Sequence, residues 1–407
     1  MRVNFLRCLG LKVLIIMSCS AQSNQVSTLG QRDLKQLTAE QITTLATFVD
    51  PVKNIDTRNP NSHLSKLLIP RPVGSENSTV VRQYITATLT ALDWHIEEDS
   101  FTDYTPYGQR SFTNIIATKD PTASRRVIVS AHYDSKFFLT YPENQFVGAT
   151  DSAAPCAMML DLAEALNPLL ARRKEGFEDD EEEFGNNEDI ADTTIQLVFF
   201  DGEEAFKDWT DADSVYGARH LSEKWSTTNI PPNSKRRVIG HSMTEIGTIE
   251  HLILLDLLGA PNPTIRSYFI DTAWLFDAMA SAERRLHEAG MFADSGDAQA
   301  FRSFFLPRKG NQFNYGYIGD DHVPFLRKGV NILHVIANPF PSVWHTLRDD
   351  ATALDIPTMR RWNLILRVFM TEYLGLQPEP AHLASIHDHI RRSENELVRV
   401  PSCFTCS

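Results

Sequence analysis

Several hydrophobic runs in this chain end in residues that can bind a metal or move a proton. Residues 127–130 lead into Ala131-His132-Tyr133-Asp134, and residues 197–200 into Asp201-Gly202-Glu203-Glu204. Residues 253–255 lead into Asp256, and residues 330–336 are followed by Asn338-Pro339-Phe340-Pro341-Ser342-Val343-Trp344-His345. A further acid, Asp151, follows Gly148-Ala149-Thr150 at the head of a long apolar-rich segment. Acids and histidine gathered in one place suit Zn2+, which takes His nitrogen and Asp or Glu oxygen and keeps an open position in catalytic sites. Taken singly, each residue has a plainer explanation. An Asp opening a helix is an N-cap, tandem glutamates after a strand form a solvated turn, and a His near a Trp is a packed side chain. Hydrophobic strands that repeatedly end in acid or His are hard to explain as caps alone. Spacing by itself leaves the metal site and the structural explanation evenly matched.

The elements that would position these residues follow from periodicity. Residues 193–200 (TTIQLVFF) read as a fully buried strand, and 112–117, 126–130, 250–255 and 330–336 read as further strands. Helical spacing of apolar residues runs over 80–92, 151–170, 271–289 and 357–374, with a solvent-facing helix at 36–49. Strands alternating with helices imply an α/β fold whose largely parallel sheet is covered on both faces. Ligands in such sheets bind outside the carboxyl ends of the strands, which is where the acids and histidines fall. There is no internal repeat.

Composition sets the limits. The chain has 407 residues, 42% hydrophobic and 22% charged, which excludes a mostly disordered chain and a multi-span membrane protein. Its net charge of −13 is opposite in sign to that of a phosphate-neutralising nucleic-acid binder. The acidity concentrates in residues 175–192, which hold ten acids and no base. That composition reads as a solvated loop, and it lacks the regular alternation and fixed Gly of an EF-hand.

Arg2, Arg7 and Lys12, the apolar run 13–17 and the small residues up to Ala21 read as a signal peptide over 1–21. The run is too short for a comfortable span. Secretion is therefore expected, with Golgi retention by an uncleaved N-terminal anchor as the alternative and no stable membrane insertion once the signal is removed. Asn77-Ser78-Thr79 would then be a usable glycosylation sequon. Cleavage would remove Cys8 and Cys19, leaving Cys156, Cys403 and Cys406, an odd set. The terminal Cys403-Phe404-Thr405-Cys406 reads as a terminal disulfide or as having no role. Cleavage after Ala21 would expose Gln22 as the mature N-terminus.

His132-Tyr133-Asp134-Ser135-Lys136, Gly148-Ala149-Thr150-Asp151-Ser152, Pro155-Cys156-Ala157-Met158-Met159, the 199–206 stretch FFDGEEAF, the 255–263 stretch LDLLGAPNP, the 321–326 stretch DHVPFL and the 340–346 stretch FPSVWHT closely resemble the glutaminyl-peptide cyclotransferases, or glutaminyl cyclases. The resemblance spans roughly residues 40 to 375. It implies a three-layer αβα fold with a mixed, mostly parallel central sheet, like that of the zinc aminopeptidases. It implies one catalytic domain over 35–376 and a C-terminal extension over 377–407.

The resemblance also implies one Zn2+ per chain, held by Asp151, Glu204 and His345. It makes Glu203 the general acid and base, Asp256 the carboxylate holding the leaving amide, and Asp320 a further active-site acid in a carboxylate hydrogen-bond pair. Trp209, Phe340 and Trp344 become the substrate pocket. The expected partners are peptides or proteins with N-terminal Gln, for a monomeric enzyme that binds no nucleic acid. His132 is expected to be structural and His322 a packed residue, not metal ligands. The family often carries a Cys where this chain has Ala131, so Cys156 is expected to be a free, buried thiol. The main alternative is a secreted zinc aminopeptidase, for which His132 and Asp256 would help hold a second metal. A non-catalytic, peptidase-like binding module is the third; it should have lost ligands, and none is lost.

Overall fold

The computed structural model describes residues 32–176, 192–231, 243–292, 301–308 and 318–378. The expected signal at 1–21, most of the acidic stretch 175–192 and all but the first residues of the extension 377–407, with Cys403 and Cys406, lie outside the described residues.

Among the described residues six strands, β1 (His95–Thr105), β2 (Gly108–Thr118), β3 (Arg125–His132), β4 (Thr193–Phe200), β5 (Ile249–Asp256) and β6 (Ile332–Ile336), form one sheet in the order β1-β2-β4-β3-β5-β6. Strands β4, β3, β5 and β6 run parallel, and the β1–β2 hairpin adds antiparallel to β4. This is the mixed, mostly parallel sheet expected. The helices are α1 (Ala39–Phe48), α2 (His63–Leu67), α3 (Glu76–Ala91), α4 (Ala154–Gly176), α5 (Tyr216–Thr227), α6 (Ala273–Glu288), α7 (His322–Leu326) and α8 (Ile356–Tyr373).

Every residue of β4 and β5 is buried, as parallel strands covered on both faces require. Alternation divides their side chains. Val127, Val129, Ile195, Leu197, Phe199, Ile253 and Leu255 enter the larger core with Ile42 of α1, Val81 of α3, Met158 of α4, Phe276 of α6 and Trp362 of α8. Ile128, Val198, Phe200, Leu252 and Leu254 enter a smaller core with Leu221 and Trp225 of α5 and Phe325 of α7. Helix α1 is not wholly solvent-facing as expected: it buries Ile42, Leu45 and Ala46.

Side-chain caps set several helix starts. Ser75 accepts from the Ser78 N–H before α3, and Asp355 accepts from the Thr358 N–H before α8. Between α4 and α8 lies a buried polar node. Arg367 donates from Nε and Nη2 to Asp161 at 2.9 and 2.7 Å, and from Nη1 to the Val49 carbonyl at 2.6 Å. Asn54 donates to Asp161 at 3.1 Å and to Glu164 at 2.9 Å. His63 Nε2 lies 3.2 Å from Glu164.

The outer strand β1 is largely polar and partly exposed. Its acids are tied to the flanking helices: Glu98 to Arg82 of α3, and Glu97, Asp99 and Asp103 to Lys224 and Arg219 of α5. Strand β3 is bordered by β4 on one side and β5 on the other. The chain leaves β3 toward β4 and leaves the adjacent β5 toward β6, so the connections part in opposite directions and open a crevice at the carboxyl ends of β3 and β5.

Candidate active site

The crevice is filled from several strand ends. β3 delivers His132 and, just beyond it, Asp134; β5 delivers Asp256. β4 runs into Asp201, then turns at Gly202, whose φ is 77° and where a Cβ would meet the Phe112 ring at 2.5 Å. That turn presents Glu203 and Glu204. The segment after β6 brings Phe340, Trp344 and His345. Asp151 was expected to open the long helix, but α4 begins at Ala154 and Asp151 sits in a non-helical turn (φ −124°, ψ 76°). The turn is tight enough that a Cβ on Gly148 would lie 2.1 Å from the Asp151 carbonyl oxygen. Freed from a helix start, the Asp151 carboxylate faces the crevice side chains.

His345 Nε2 lies 3.1 Å from Glu204 Oε1 and 3.3 Å from Asp151 Oδ2. One ligand atom from each of these three residues falls within 4.8 Å of the others. Asp151 Oδ2 is buried and, apart from this ion-pair contact with His345, accepts no hydrogen bond among the described residues. Two carboxylate oxygens and one imidazole nitrogen around a common point, one of the oxygens with no hydrogen bond among the described residues, fit a divalent cation. The remaining atoms are held in place: His132 Nε2 lies 3.0 Å from Asp151 Oδ1, and Lys136 Nζ donates to Glu204 Oε2 at 3.2 Å. Burial works against charge on His345, but Asp151 and Glu204 outweigh it and raise its pKa to about 9. Burial would likewise raise Asp151, yet His132 and His345 hold it well below the usual carboxylate range.

Glu203 is buried beside this cage. Asp134 accepts the Glu203 N–H at 3.2 Å and the Glu204 N–H at 3.4 Å, fixing the two-glutamate turn. Burial pushes Glu203 well above the usual range; His132 opposes the rise, and Glu204, Asp320 and Asp321 add to it. Ser152 Oγ donates to Asp256, whose pKa burial and then Asp320 push up to about 6. The described hydrogen bonds of Asp320 go to His334 Nε2 of β6 at 2.8 Å and to the Asp321 N–H at 2.6 Å, and its charge helps raise the neighbouring carboxyls of Asp256 and Asp321. His322 packs against the His334 ring at 4.4 Å and edge-on to Phe269. Asp320, His322 and His334 form a second buried group with metal-compatible spacing, and His132, Asp151 and Asp256 a third.

A cavity of about 420 Å³ opens over the cage. Asp151, Glu203, Glu204, Asp256 and His345 line it with Trp209, Phe340 and Trp344. Trp344 stacks on His345 at 3.9 Å and meets Phe340 edge-on at 5.0 Å. Asp320 does not reach the wall. Sequence reasoning had no role for Lys136, although it closes the first motif quoted. It also missed Leu257, Ile318 and Ile336, apolar wall residues with no chemical signature. Cys156 is a free, buried thiol. Its Sγ donates to the His132 carbonyl at 3.2 Å, and burial pushes its pKa up to about 12. Among the described residues no helix is long and apolar enough to cross a membrane.

With this geometry in view, comparison places the chain. The profile of Peptidase family M28 matches residues 114–370, so the chain belongs to that family. Within it the chain belongs with the glutaminyl-peptide cyclotransferases. The Bos taurus protein of that name is 44% identical over 319 residues, which cover 77% of this chain and 81% of the relative. That of Boiga irregularis is 44% identical over 317 residues, 77% and 80% of the two chains. The crystal structure of Macrostomum lignano glutaminyl cyclase superposes with a TM-score of 0.69 at 34% identity, covering 86% of this chain and 97% of that one.

Proposed function

We propose that this enzyme closes the N-terminal glutamine of peptides and proteins into pyroglutamate and releases ammonia, using one zinc ion per chain held by Asp151, Glu204 and His345. The observation that carries the reading is the shared cavity: the ligand cage, two further buried acids and an aromatic wall meet around one space. When bound, zinc supplies a Lewis acid for the substrate's carbonyl oxygen.

The remaining steps fall to the chain and the substrate. The substrate's α-amine attacks its own side-chain amide carbon. A ring C–N bond forms, the bond to the amide nitrogen breaks, and the proton given up by the amine ends on the departing ammonia. Glu203, buried and held at its backbone by Asp134, carries that proton. Asp256, fixed by Ser152, accepts an N–H of the leaving amide. Asp320 stands behind them, oriented by His334. Trp209, Phe340 and Trp344 exclude water and orient a small side chain. The nucleophile comes from the substrate, so no activated water is needed and one ion suffices.

The same reading makes 35–376 one catalytic domain, acting as a monomer and secreted through removal of 1–21. Golgi retention is the alternative should the segment remain. Asn77, exposed in the first turn of α3, would then be open to glycosylation. The test is ammonia release from a Gln-initiated peptide, with chelator and then with zinc restored. Release that is lost and regained supports the reading; free N-terminal amino acids in its place would support an aminopeptidase. One observation favours that second reading: His132, Asp151 and Asp256 are spaced to hold a second ion that shares Asp151. Metal analysis separates the two, one zinc per chain for a cyclase and two for a peptidase.

A further inference from the structure

Arg71 is fully buried, and its described side-chain hydrogen bonds go to main-chain carbonyls and to no carboxylate. Nε donates to the Tyr133 carbonyl at 2.6 Å, between His132 and Asp134. Nη1 donates to the Val147 carbonyl, and Nη2 to the Gly148 carbonyl at 3.2 Å. Further bonds from Nη1 reach the carbonyls of Leu67 and Ile69 at 3.2 and 3.3 Å. The Arg71 main chain is itself tied to Ser135: its N–H donates to Ser135 Oγ at 2.9 Å, and its carbonyl accepts the Ser135 N–H at 3.3 Å.

One guanidinium thus joins two backbone segments that lie 62 and 76 positions away from it in sequence. The first is the extension of β3 that carries His132 and Asp134. The second is the Gly148 turn that carries Asp151. These are the segments whose spacing decides whether His132 Nε2 meets Asp151 at 3.0 Å and whether the free oxygen of Asp151 faces Glu204 and His345. The task suits arginine: a planar fork with donors in fixed directions can hold several carbonyls at once, whereas lysine brings three donors from a single nitrogen. Asp349 braces the same turn from the His345 side, accepting the Thr150 N–H at 2.8 Å through its carboxylate and the Ala149 N–H at 3.0 Å through its carbonyl.

We propose that Arg71 is a positioning residue for the metal cage: by clamping the Gly148 turn to the end of β3 it sets the affinity of Asp151, Glu204 and His345 for their ion. This rests on the reading that those three residues hold a metal. Residues that orient metal ligands typically contribute 10–100-fold to affinity. Arg71→Lys keeps the charge and loses the fork.

The experiment is zinc competition against a chromophoric chelator on full-length wild-type, Arg71→Lys, Arg367→Lys and Asp151→Asn proteins. Ammonia release is then measured at saturating zinc. The expected result is a loss of zinc affinity of roughly 10-fold or more in Arg71→Lys, with KM little changed once zinc is saturating. Arg367→Lys, an equally buried arginine away from the cage, should lower Tm and leave zinc affinity unchanged. Wild-type affinity in Arg71→Lys overturns the inference, and so does an equal loss in Arg367→Lys. Should Arg71→Lys fail to fold, Ser135→Ala decides: a several-fold loss of zinc affinity at unchanged Tm supports the clamp, and no loss overturns it. Asp151→Asn tests the cage separately. If it binds zinc as wild type does, the ligand assignment falls, and the inference with it.

Discussion

The molecule buries charge in two places and treats it differently. In the node between α4 and α8, Asp161 receives a bidentate arginine and an amide, while Glu164 receives an amide and lies against a histidine. Burial would raise Glu164, but His63 and Asn54 prevail and lower its pKa to about 2. In the crevice at the strand ends, acids outnumber cations. Burial pushes Asp201 to about 8, helped by Asp134, and Asp349 to about 7, helped by Asp151. Bidentate, fully hydrogen-bonded pairs of the first kind hold helices together. A surplus of poorly matched acids has no such use, and it marks a place built to meet something from outside.

Four measurements would break or sharpen this contrast. The largest effect is expected at Glu203. Glu203→Gln should lower turnover about 10²–10⁴-fold, with zinc content and Tm at least as high as in wild type. Near-normal ammonia release would remove Glu203 from the chemistry. Next comes the node: Arg367→Met leaves Asp161 buried without its cation, with only the Asn54 amide against it, which should cost about 3–5 kcal/mol by denaturant titration. Activity per folded molecule should stay at the wild-type level, and a selective loss of activity would mean that the two regions are coupled.

Third, chelation should destabilise the protein by about 2.7 kcal/mol relative to zinc at 100 times its Kd. The increment should persist in Arg367→Met, since distant sites add, and vanish in Asp151→Asn. The smallest effect is in the pH profile of the node. The folded-state pKa of Glu164 is depressed to about 2, below the ordinary value of ~4.3. Its contribution is therefore present above ~4.3 and is lost as pH falls through the folded value. Thermal melts of wild type and Glu164→Gln should differ at neutral pH and converge toward pH ~2. A constant gap would mean that the carboxylate's charge contributes nothing.

Much of the scaffold is legible in the sequence because burial on two faces leaves continuous apolar runs. The strands expected at 193–200, 126–130 and 250–255 appear as β4, β3 and β5 with small shifts in their ends. Strand β1 goes unread because, lying at the sheet margin, it alternates polar residues with few apolar ones. Helix α5 goes unread too, although Tyr216, Ala218, Leu221 and Trp225 form its buried stripe. The acids at strand ends could be recognised as candidates for chemistry, and the family motifs named two acids, Asp151 and Glu204, and His345 as ligands. What the sequence could not show is depth. Nothing in the local pattern reveals that Asp151 leaves the helix start, that Asp320 turns to His334, or that Arg71 reaches two turns 62 and 76 positions away. Those contacts depend on which strand neighbours which.

The polar strand β1 also bears on how copies of this enzyme can meet. A sheet that ends in an open strand invites another chain to extend it by backbone pairing. Here Arg82 approaches from α3 and Lys224 and Arg219 from α5, each holding an acid of β1 in an ion pair. A strand arriving from a second molecule would have to strip water from those pairs along its whole length, a cost that grows with every residue added. On this side, then, the enzyme resists being lengthened into a larger sheet, and crowding in solution should not readily turn its outermost strand into a seed for aggregation.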